Sequence, residues 1–562
     1  YEQIGYERVI AAYARLIELQ PNDASAYVNR GHVHGDNSHT DLAVADYTQA
    51  IELEPDNAEI YSFRGAMYQL NRDYDRAIAD YARLIELRPD DASAYNARGN
   101  SYGEKGDYDR AIADFSKAIE LKPDFAEAYS QRGLAAALAA SPLVAEVQRH
   151  LYAGRTAEAA AAVERRLAAA PDDDQARFAL GAVQFLQAVE NVGRSFYQFG
   201  LRGGQYGIGL IDLPILRIPV PHNPNPYELT YEGLRDILAS FVSDLDTAEK
   251  TLAMVGPGQI GLPLDIGQIR LDLDGDGEGS DDEALWRIFA AVSGARGLDG
   301  DTPPKLLAGF DQSDVPWLQA YCHLLMGIAE FPLAYDWETA FDITFPGIFP
   351  MPSSPYAKLH AAASEFEQLV EQLLKLPEQE REKYMEDHPD QFEEMGRPSE
   401  IAGIADLIAF IHLNRWPLVE PERMRSAARN LEAMIGFSRE NWRRILAETD
   451  DRAEWVPSPS QTGIFPGFRV DADRIAGWRG FLDEFEAILQ GKKLIPHWRF
   501  DDGINMRKLF DEPPQTFDIV LLIAGAAALP YLEAGEMTTA GTWTQITQVF
   551  GGDFFRYFIW FN

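Results

Sequence analysis

A single cysteine, Cys322, occurs among the 562 residues, so neither an internal disulfide framework nor a cysteine-based zinc site is open to this chain. Cationic side chains are scarce: 50 Lys and Arg stand against 88 Asp and Glu, a formal charge of −38. That balance excludes sequence-independent binding to nucleic acid or to an anionic membrane, because a phosphate surface would be repelled in most orientations. A cationic partner, a divalent metal or an uncharged peptide surface remains open. Long apolar runs are missing as well. The run 519–529 (IVLLIAGAAAL) is about half of the ~20 residues that a bilayer span needs. The run 134–140 (LAAALAA) is similar to a signal-peptide core but lies inside the chain and continues a helical pattern. Both read as buried helix in a soluble protein. No targeting segment is visible, and the opening on Tyr1 within a helical pattern marks a processed or incomplete piece. There is no Gly-x-Ser-x-Gly elbow, P-loop, His-Glu-x-x-His helix or dinucleotide-binding glycine run.

Hydrophobic residues are not lacking. Their 46% share rules out global disorder, and the length implies three to four domains or one domain plus a repeat array. The array is visible at once. Pro21, Pro55, Pro89 and Pro123 recur every 34 residues, and so do Tyr27, Tyr61, Tyr95 and Tyr129, then Gly31, Gly65, Gly99 and Gly133. Ala43, Ala77 and Ala111 keep the step, as do Tyr13, Tyr47, Tyr81 and Phe115. Within one period Tyr61, Gly65 and Tyr68 share a helix face whose glycine admits a second helix closely; Ala77, Ile78, Tyr81 and Ile85 form the facing stripe. Pro89 then ends one helix and Asp90 opens the next. Each hairpin buries one side only, so neighbours must stack.

These positions resemble the tetratricopeptide repeat (TPR) family, with full repeats at 24–57, 58–91 and 92–124. The segment 1–23 reads as a second helix left from an earlier repeat, and 126–140 as the start of a fourth. Pro171 lies 48 residues beyond Pro123, an insertion of 14, yet Pro171 and Gly181 keep the ten-residue step of Pro21 and Gly31. The domains expected are therefore a TPR array at 1–140, divergent TPR-like hairpins at 141–198, and a mostly helical domain at 199–562. The fold class is mainly α: a TPR helical-hairpin superhelix followed by a large helical domain with irregular loops and few short strands.

Where the family usually has an apolar residue this chain has Arg30, Arg64, Arg98 and Arg132, and sixteen residues after the first three stand Asp46, Asp80 and Asp114. A ladder of Arg–Asp pairs between the helices of each hairpin satisfies both charges; a row gripping an acidic ligand is the alternative. The resemblance implies a partner-binding concave surface on the first helices, here Val28, His32, Ser62, Ala66, Asn96 and Asn100, with Ser25, Glu59 and Ser93 nearby. Asn96 and Asn100 could hydrogen-bond an extended backbone, and stacking of this face against the protein's own C-terminal region is the alternative. The basic clamp of chaperone-binding members is missing. His32, His34 and His39 invite a metal reading, but helical geometry points the first two apart.

The sharpest chemical motif is Asp272, Asp274, Asp276, Gly277, Glu278, Ser280 and Glu283, which fits D-x-[DN]-x-[DN]-G-x₅-E and resembles the EF-hand calcium loop. Three alternate carboxylates, the carbonyl of Glu278, a water held by Ser280 and two oxygens of Glu283, at the start of a helix over 283–292, make a hard oxygen shell suited to Ca²⁺. The loop departs from a full EF-hand. Glycines and prolines at 256–267 preclude an entering helix, and the eighth position, which pairs two loops, is Gly279. A structural rather than switching calcium site is expected.

Downstream, 202–227 reads as an irregular arm, followed by a helix capped by Thr230 with its stripe from Leu234 to Leu245. Further helices are expected at 315–331, 356–374, 401–413, 422–435, 439–448, 474–489 and 516–528, and a buried strand or helix tail at 554–561. His497, Trp498, Arg499, Asp501 and Asp502, together with His323, Asp336, His360 and His412, are the acid–base candidates. Scattered histidines on apolar helices are usually satisfied core residues. The reading is thus a non-enzymatic interaction or assembly scaffold with a protein or peptide partner and a structural Ca²⁺. A hydrolase or ligand-binding domain with an appended TPR scaffold is the alternative. Such loops bind weakly enough to suit a bacterial periplasm or cell envelope, with the cytoplasm second.

Overall fold

Each 34-residue period becomes two helices, and the residues that start them recur with it. The computed structural model describes residues 2–37, 39–201, 214–293, 306–351, 353–354, 415–448, 455–459, 461, 463, 470–550 and 554. Its first helices are α1 (Glu2–Leu19), α2 (Ala24–Asp36), α3 (Thr40–Leu53), α4 (Ala58–Leu70), α5 (Tyr74–Leu87), α6 (Ala92–Glu104), α7 (Tyr108–Leu121) and α8 (Ala126–Ala140). Asp23, Asn57 and Asp91 cap α2, α4 and α6 by accepting from the N–H of Ser25, Glu59 and Ser93. Asp73 and Asp107 cap α5 and α7 in the same manner.

Hairpin closure depends on one glycine per repeat. A Cβ on Gly31 would lie 2.7 Å from the Tyr47 ring, one on Gly65 3.0 Å from Tyr81, and one on Gly99 2.8 Å from Phe115. Opposite them Ala43, Ala77 and Ala111 are wholly buried. No larger side chain at either position would let the two helices approach as they do.

The chain divides into two compact units, Tyr1–Ala145 and Glu146–Asn562. The 14-residue insertion becomes an additional helix, α9 (Pro142–Tyr152), before α10 (Thr156–Ala169) and α11 (Asp174–Gln198). In the second unit α12 (Tyr231–Ala253), capped by Thr230, packs against α11. The helices α13 (Leu285–Ser293), α14 (Asp314–Ala334), α15 (Glu338–Thr344), α16 (Pro421–Ile445) and α17 (Ala472–Leu489) follow, with α14 between α12 and α16. Trp442 and Trp478 are fully buried, and the Trp478 Nε1–H donates to Ser438 Oγ at 3.1 Å, fastening α17 to α16. Short helices α18 (Met506–Asp511), α19 (Ile519–Ala524) and α20 (Ala540–Gln548) complete this unit among the described residues.

Strands are few and short: β1 (Leu262–Asp265), β2 (Leu307–Phe310), β3 (Arg415–Pro417), β4 (Ile495–Pro496), β5 (Gly503–Ile504), β6 (Thr516–Asp518) and β7 (Leu532–Glu533). β1 pairs antiparallel with β2, placing Leu264 opposite Ala308; β3 pairs with β6, and β5 lies between β4 and β7. The mostly helical class expected from the sequence is what the chain adopts.

Two helix expectations require correction. The segments 422–435 and 439–448 form the single helix α16, because buried Met434, Ile435, Ser438 and Asn441 carry one packed face across Gly436. The expected helix 516–528 is instead β6 followed by six-residue α19. Asp518 accepts from the Leu521 N–H and so starts the helix there, while Gly525, at φ +109°, ends it. Nor is that run buried. No residue of α19 is buried, and Leu521, Ile523 and Leu529 are exposed. The run 134–140 lies within α8. The 202–213 part of the expected arm, the expected helices 356–374 and 401–413, and the tail beyond Phe554 lie outside the described residues.

Candidate functional site

The arginine row forms the internal ladder. Arg30 donates from Nε and Nη2 to the two oxygens of Asp46 at 2.9 and 2.5 Å; Arg64 holds Asp80 at 2.8 and 2.7 Å, and Arg98 holds Asp114 at 2.8 and 2.8 Å. All three aspartates are buried. Donating to its aspartate raises each arginine's pKa above its ordinary value. Each guanidinium also lies over a tyrosine of its own helix, Tyr27, Tyr61 or Tyr95, within 5.9 Å of the ring centre. With its N–H edge on an aspartate and one face on a tyrosine, each of these arginines holds its hairpin together.

The six expected partner-binding residues fall at two repeating positions on α2, α4 and α6. Their surroundings differ. Val28 packs on the cluster of Ala24, Tyr47 and Ala50. The His32 ring hydrogen-bonds the Tyr47 hydroxyl at 3.0 Å and meets Phe63 edge-on at 4.5 Å. Ser62 and Ala66 are half-buried, while Ser25, Glu59 and Ser93 are exposed. On α6 both Asn96, 6% exposed, and Asn100 carry a buried carboxamide oxygen without a hydrogen-bond partner. Next to them the Gln69 amide is fully engaged: its Oε1 accepts from Tyr81, and its Nε2 donates to Ala97 O and Ser101 Oγ at 3.1 and 2.8 Å. Sequence reasoning missed this bridge, whose signal is that Gln69 stands where the flanking repeats have Gly35 and Gly103.

Of the three histidines only His34 and His39 come together, their rings 6.3 Å apart beside Tyr6, while His32 turns to Tyr47. His34 pairs through Nδ1 with the Tyr6 hydroxyl at 2.9 Å and lies 3.7 Å from Asp46, whereas His39 stacks on Tyr6. Burial, reinforced by Arg30 and His39 and opposed by Asp46, lowers the His34 pKa.

The acidic loop gathers Asp272, Asp274 and Asp276, one carboxylate oxygen from each lying within 4.8 Å of the others. Gly275 and Gly277, at φ +79° and +96°, make the turns that bring them inward. Desolvation, followed by repulsion from Glu283, Asp276 and Asp272, raises the Asp274 pKa, although the Asp276 N–H opposes the shift. Glu278 and Ser280 sit exposed on the rim. Glu283 is 1% exposed and bound to the loop itself: Oε1 accepts from Leu273 and Asp274 N–H at 2.8 and 3.1 Å, Oε2 from Ser280 N–H at 2.7 Å. It ends a 3₁₀ turn (Asp281–Glu283), and α13 begins only at Leu285, two residues later than expected.

Gly279 explains the missing second loop. Its N–H donates to Ala153 O at 3.1 Å, and the neighbouring Arg270 N–H donates to Leu151 O at 3.0 Å. A Cβ on Gly154 would come 2.2 Å from Gly279 N, so the turn between α9 and α10 lies directly on the loop's eighth position. From α11, Arg194 reaches Asp272 Oδ2 at 2.9 Å and Glu190 at 2.8 Å; burial pushes the Glu190 carboxyl up to about 7. Nothing in the sequence pattern links Glu190 and Arg194 to this loop.

The acid–base candidates are dispersed. His497, Trp498 and Arg499 bond the carbonyls of Leu522, Ile523 and Ala524, ending α19, while Asp501 and Asp502 are exposed. His323 bonds Asn430 at 2.8 Å, and Asp336 accepts from the Glu338 N–H. His360 and His412 lie outside the described residues.

Family models described as tetratricopeptide repeat match residues 28–92 and 144–191, and 81–113; one described as TPR repeat matches 99–138. The N-terminal region therefore carries tetratricopeptide repeats. A search of the curated proteins found no match. Among solved structures, MamA is 27% identical over 25% of this chain and 81% of its own, with a TM-score of 0.24. The first TPR of Spaghetti (RPAP3), bound to an HSP90 peptide, is 22% identical over 21% of this chain and 94% of its own, at 0.21. YrrB, a TPR protein with an unusual peptide-binding site, is 20% identical over 31% and 84%, also at 0.21.

Proposed function

We propose that the repeat array recruits a protein partner by holding an extended segment of it along the face of α2, α4 and α6, with no chemistry performed there. The observation that carries this reading is the pair of unbonded oxygens on Asn96 and Asn100. A buried acceptor left unsatisfied costs about 1–3 kcal/mol, which a backbone N–H entering the face recovers. One turn apart on α6, the two carboxamides match the spacing at which an extended strand presents successive donors on one side. The chain's −38 charge favours a segment that is basic or uncharged.

The acidic loop, in this reading, binds Ca²⁺ through Asp272, Asp274 and Asp276, with Glu278, Ser280 and Glu283 as the expected remaining ligands. Mutual repulsion among three carboxylates is relieved by a divalent cation of this hardness. The ion's role is to stiffen the loop against the α9–α10 turn, and an extracytoplasmic compartment rich in calcium fits a solitary loop of modest affinity.

The test is selection of a displayed random peptide library on the immobilised full chain, followed by hydrogen exchange of the complex. Protection concentrated on α6 and α4 is the expected result. Protection confined to the second unit, or recovery of no binding sequence, overturns the reading.

A further inference from the structure

Helix α12 packs against both α11 and α14, but those two touch each other little, with the Phe185 and Tyr321 rings 6.3 Å apart. Between them lies a cavity of about 270 Å³. Ala182, Phe185 and Val189 of α11 face Tyr321, Leu325 and Ile328 of α14, and the β1–β2 hairpin, α13 and Trp455 supply further walls. No charged or amide side chain lines it.

Water finds few partners in such a space, where only Tyr321, Trp317 and Trp455 carry polar side-chain atoms, since a held water needs two to four polar contacts, and an empty void forfeits packing on every wall. An engineered apolar cavity of ~150 Å³ admits benzene, so by proportion this one admits about ten carbons. Of its lining side chains on α11 and α14, Phe178, Leu186, Trp317, Leu318 and Ala329 are buried, five of the six named above are half-buried, and Ile328 is 41% exposed, which puts Ile328 at the rim of the lining.

We infer that this cavity binds the hydrocarbon chain of an amphiphile, an acyl chain of about ten carbons with its head group outside near Ile328. The inference is independent of the repeat array's role. Walls whose polar side-chain atoms are only those of Tyr321, Trp317 and Trp455 select a saturated chain over a ligand carrying several internal hydrogen-bonding atoms, most of which would be left unpaired inside. Affinity then follows chain length, at about fourfold per buried methylene.

The experiment uses the full chain loaded with naphthalene, a neutral fluorophore of ten carbons, and displaces it with saturated acids of six to fourteen carbons and with 1-decanoyl-lysophosphatidylcholine. Displacement should strengthen about three- to fourfold per methylene up to roughly ten carbons and then level off. Displacement by the acids alone assigns a free fatty acid, and displacement by both assigns any acyl chain irrespective of head group. Ala182→Trp, which fills the space between α11 and α14, should weaken decanoate at least tenfold, whereas Ile523→Ser, on the exposed apolar run of α19, should leave it unchanged. If Ala182→Trp melts without cooperativity, hydrogen exchange of the wild type decides: decanoate should protect 178–189 and 317–329. No displacement by any chain, equal affinity in a folded Ala182→Trp variant, or protection only at 519–529 overturns the inference.

Discussion

The Arg64 guanidinium holds both oxygens of Asp80 on the following helix and uses its Nη1 to reach Thr48 Oγ1, 3.0 Å away on the preceding one. One side chain of α4 thereby ties α3 to α5. Replacing Asp80, which is 5% exposed, by alanine strands a largely buried charge. Asp80→Ala should cost about 2–3 kcal/mol in urea unfolding, while the double change Arg64→Met/Asp80→Leu should cost less than the two single changes combined.

Glycines on one helix separate sharply by position. Gly99→Ala sets a methyl 2.8 Å from the Phe115 ring and should lose about 1–3 kcal/mol, whereas Gly103→Ala meets nothing within 4 Å and should gain a few tenths of a kcal/mol or more from helix propensity. Thermal melting of the two variants side by side checks this; equal losses would mean that close approach is not why the repeat uses glycine.

The array's stability should depend on pH through His34. The groups around it are Asp46, Arg30, His39 and Tyr6, and burial lowers its pKa, so the folded state favours the neutral ring. A base depressed on folding contributes stability above its ordinary pKa of about 6.5 and loses it as acid protonates the folded ring. His34→Tyr, which installs the residue present at Tyr68 and Tyr102, should therefore flatten the fall in melting temperature below that pH. An unchanged pH slope in the variant contradicts the assignment.

Calcium removal should act on the second unit. At a hundredfold excess over its dissociation constant the ion is expected to raise the melting transition by about 5 °C, reversed by chelator and abolished in Asp274→Asn. Mg²⁺ should give much less. A transition indifferent to Ca²⁺ would leave the loop as an acidic turn held by Glu283, Arg194 and backbone bonds alone.

Much of the first unit was legible because its contacts are local and periodic. Asp80 lies sixteen residues after Arg64 in a repeat of 34, so one period defines both the helix pair and the ion pair across it. The Arg64–Thr48 link reaches into the previous period, and the Gln69 bridge occurs once, so neither leaves a recurring mark. The acidic loop was legible as a string of ligand types, but Gly154 and Gly279 are far apart in sequence, and only tertiary proximity reveals why the eighth position has no side chain. The apolar run 519–529 misled, because apolarity alone implied burial, whereas a cap at Asp518 with a left-handed Gly525 leaves a short exposed helix. Cavities are the least legible feature: Ala182 and Leu325 look like any core positions until α11 and α14 are seen to leave a space between them.

The central claim rests on two carboxamides, and calorimetry on one library-selected peptide tests it most directly. Asn96→Ala/Asn100→Ala should keep the wild-type melting temperature to within a few degrees and bind that peptide at least tenfold more weakly, with about half of the loss in each single variant. Undiminished affinity in the folded double variant would contradict the account.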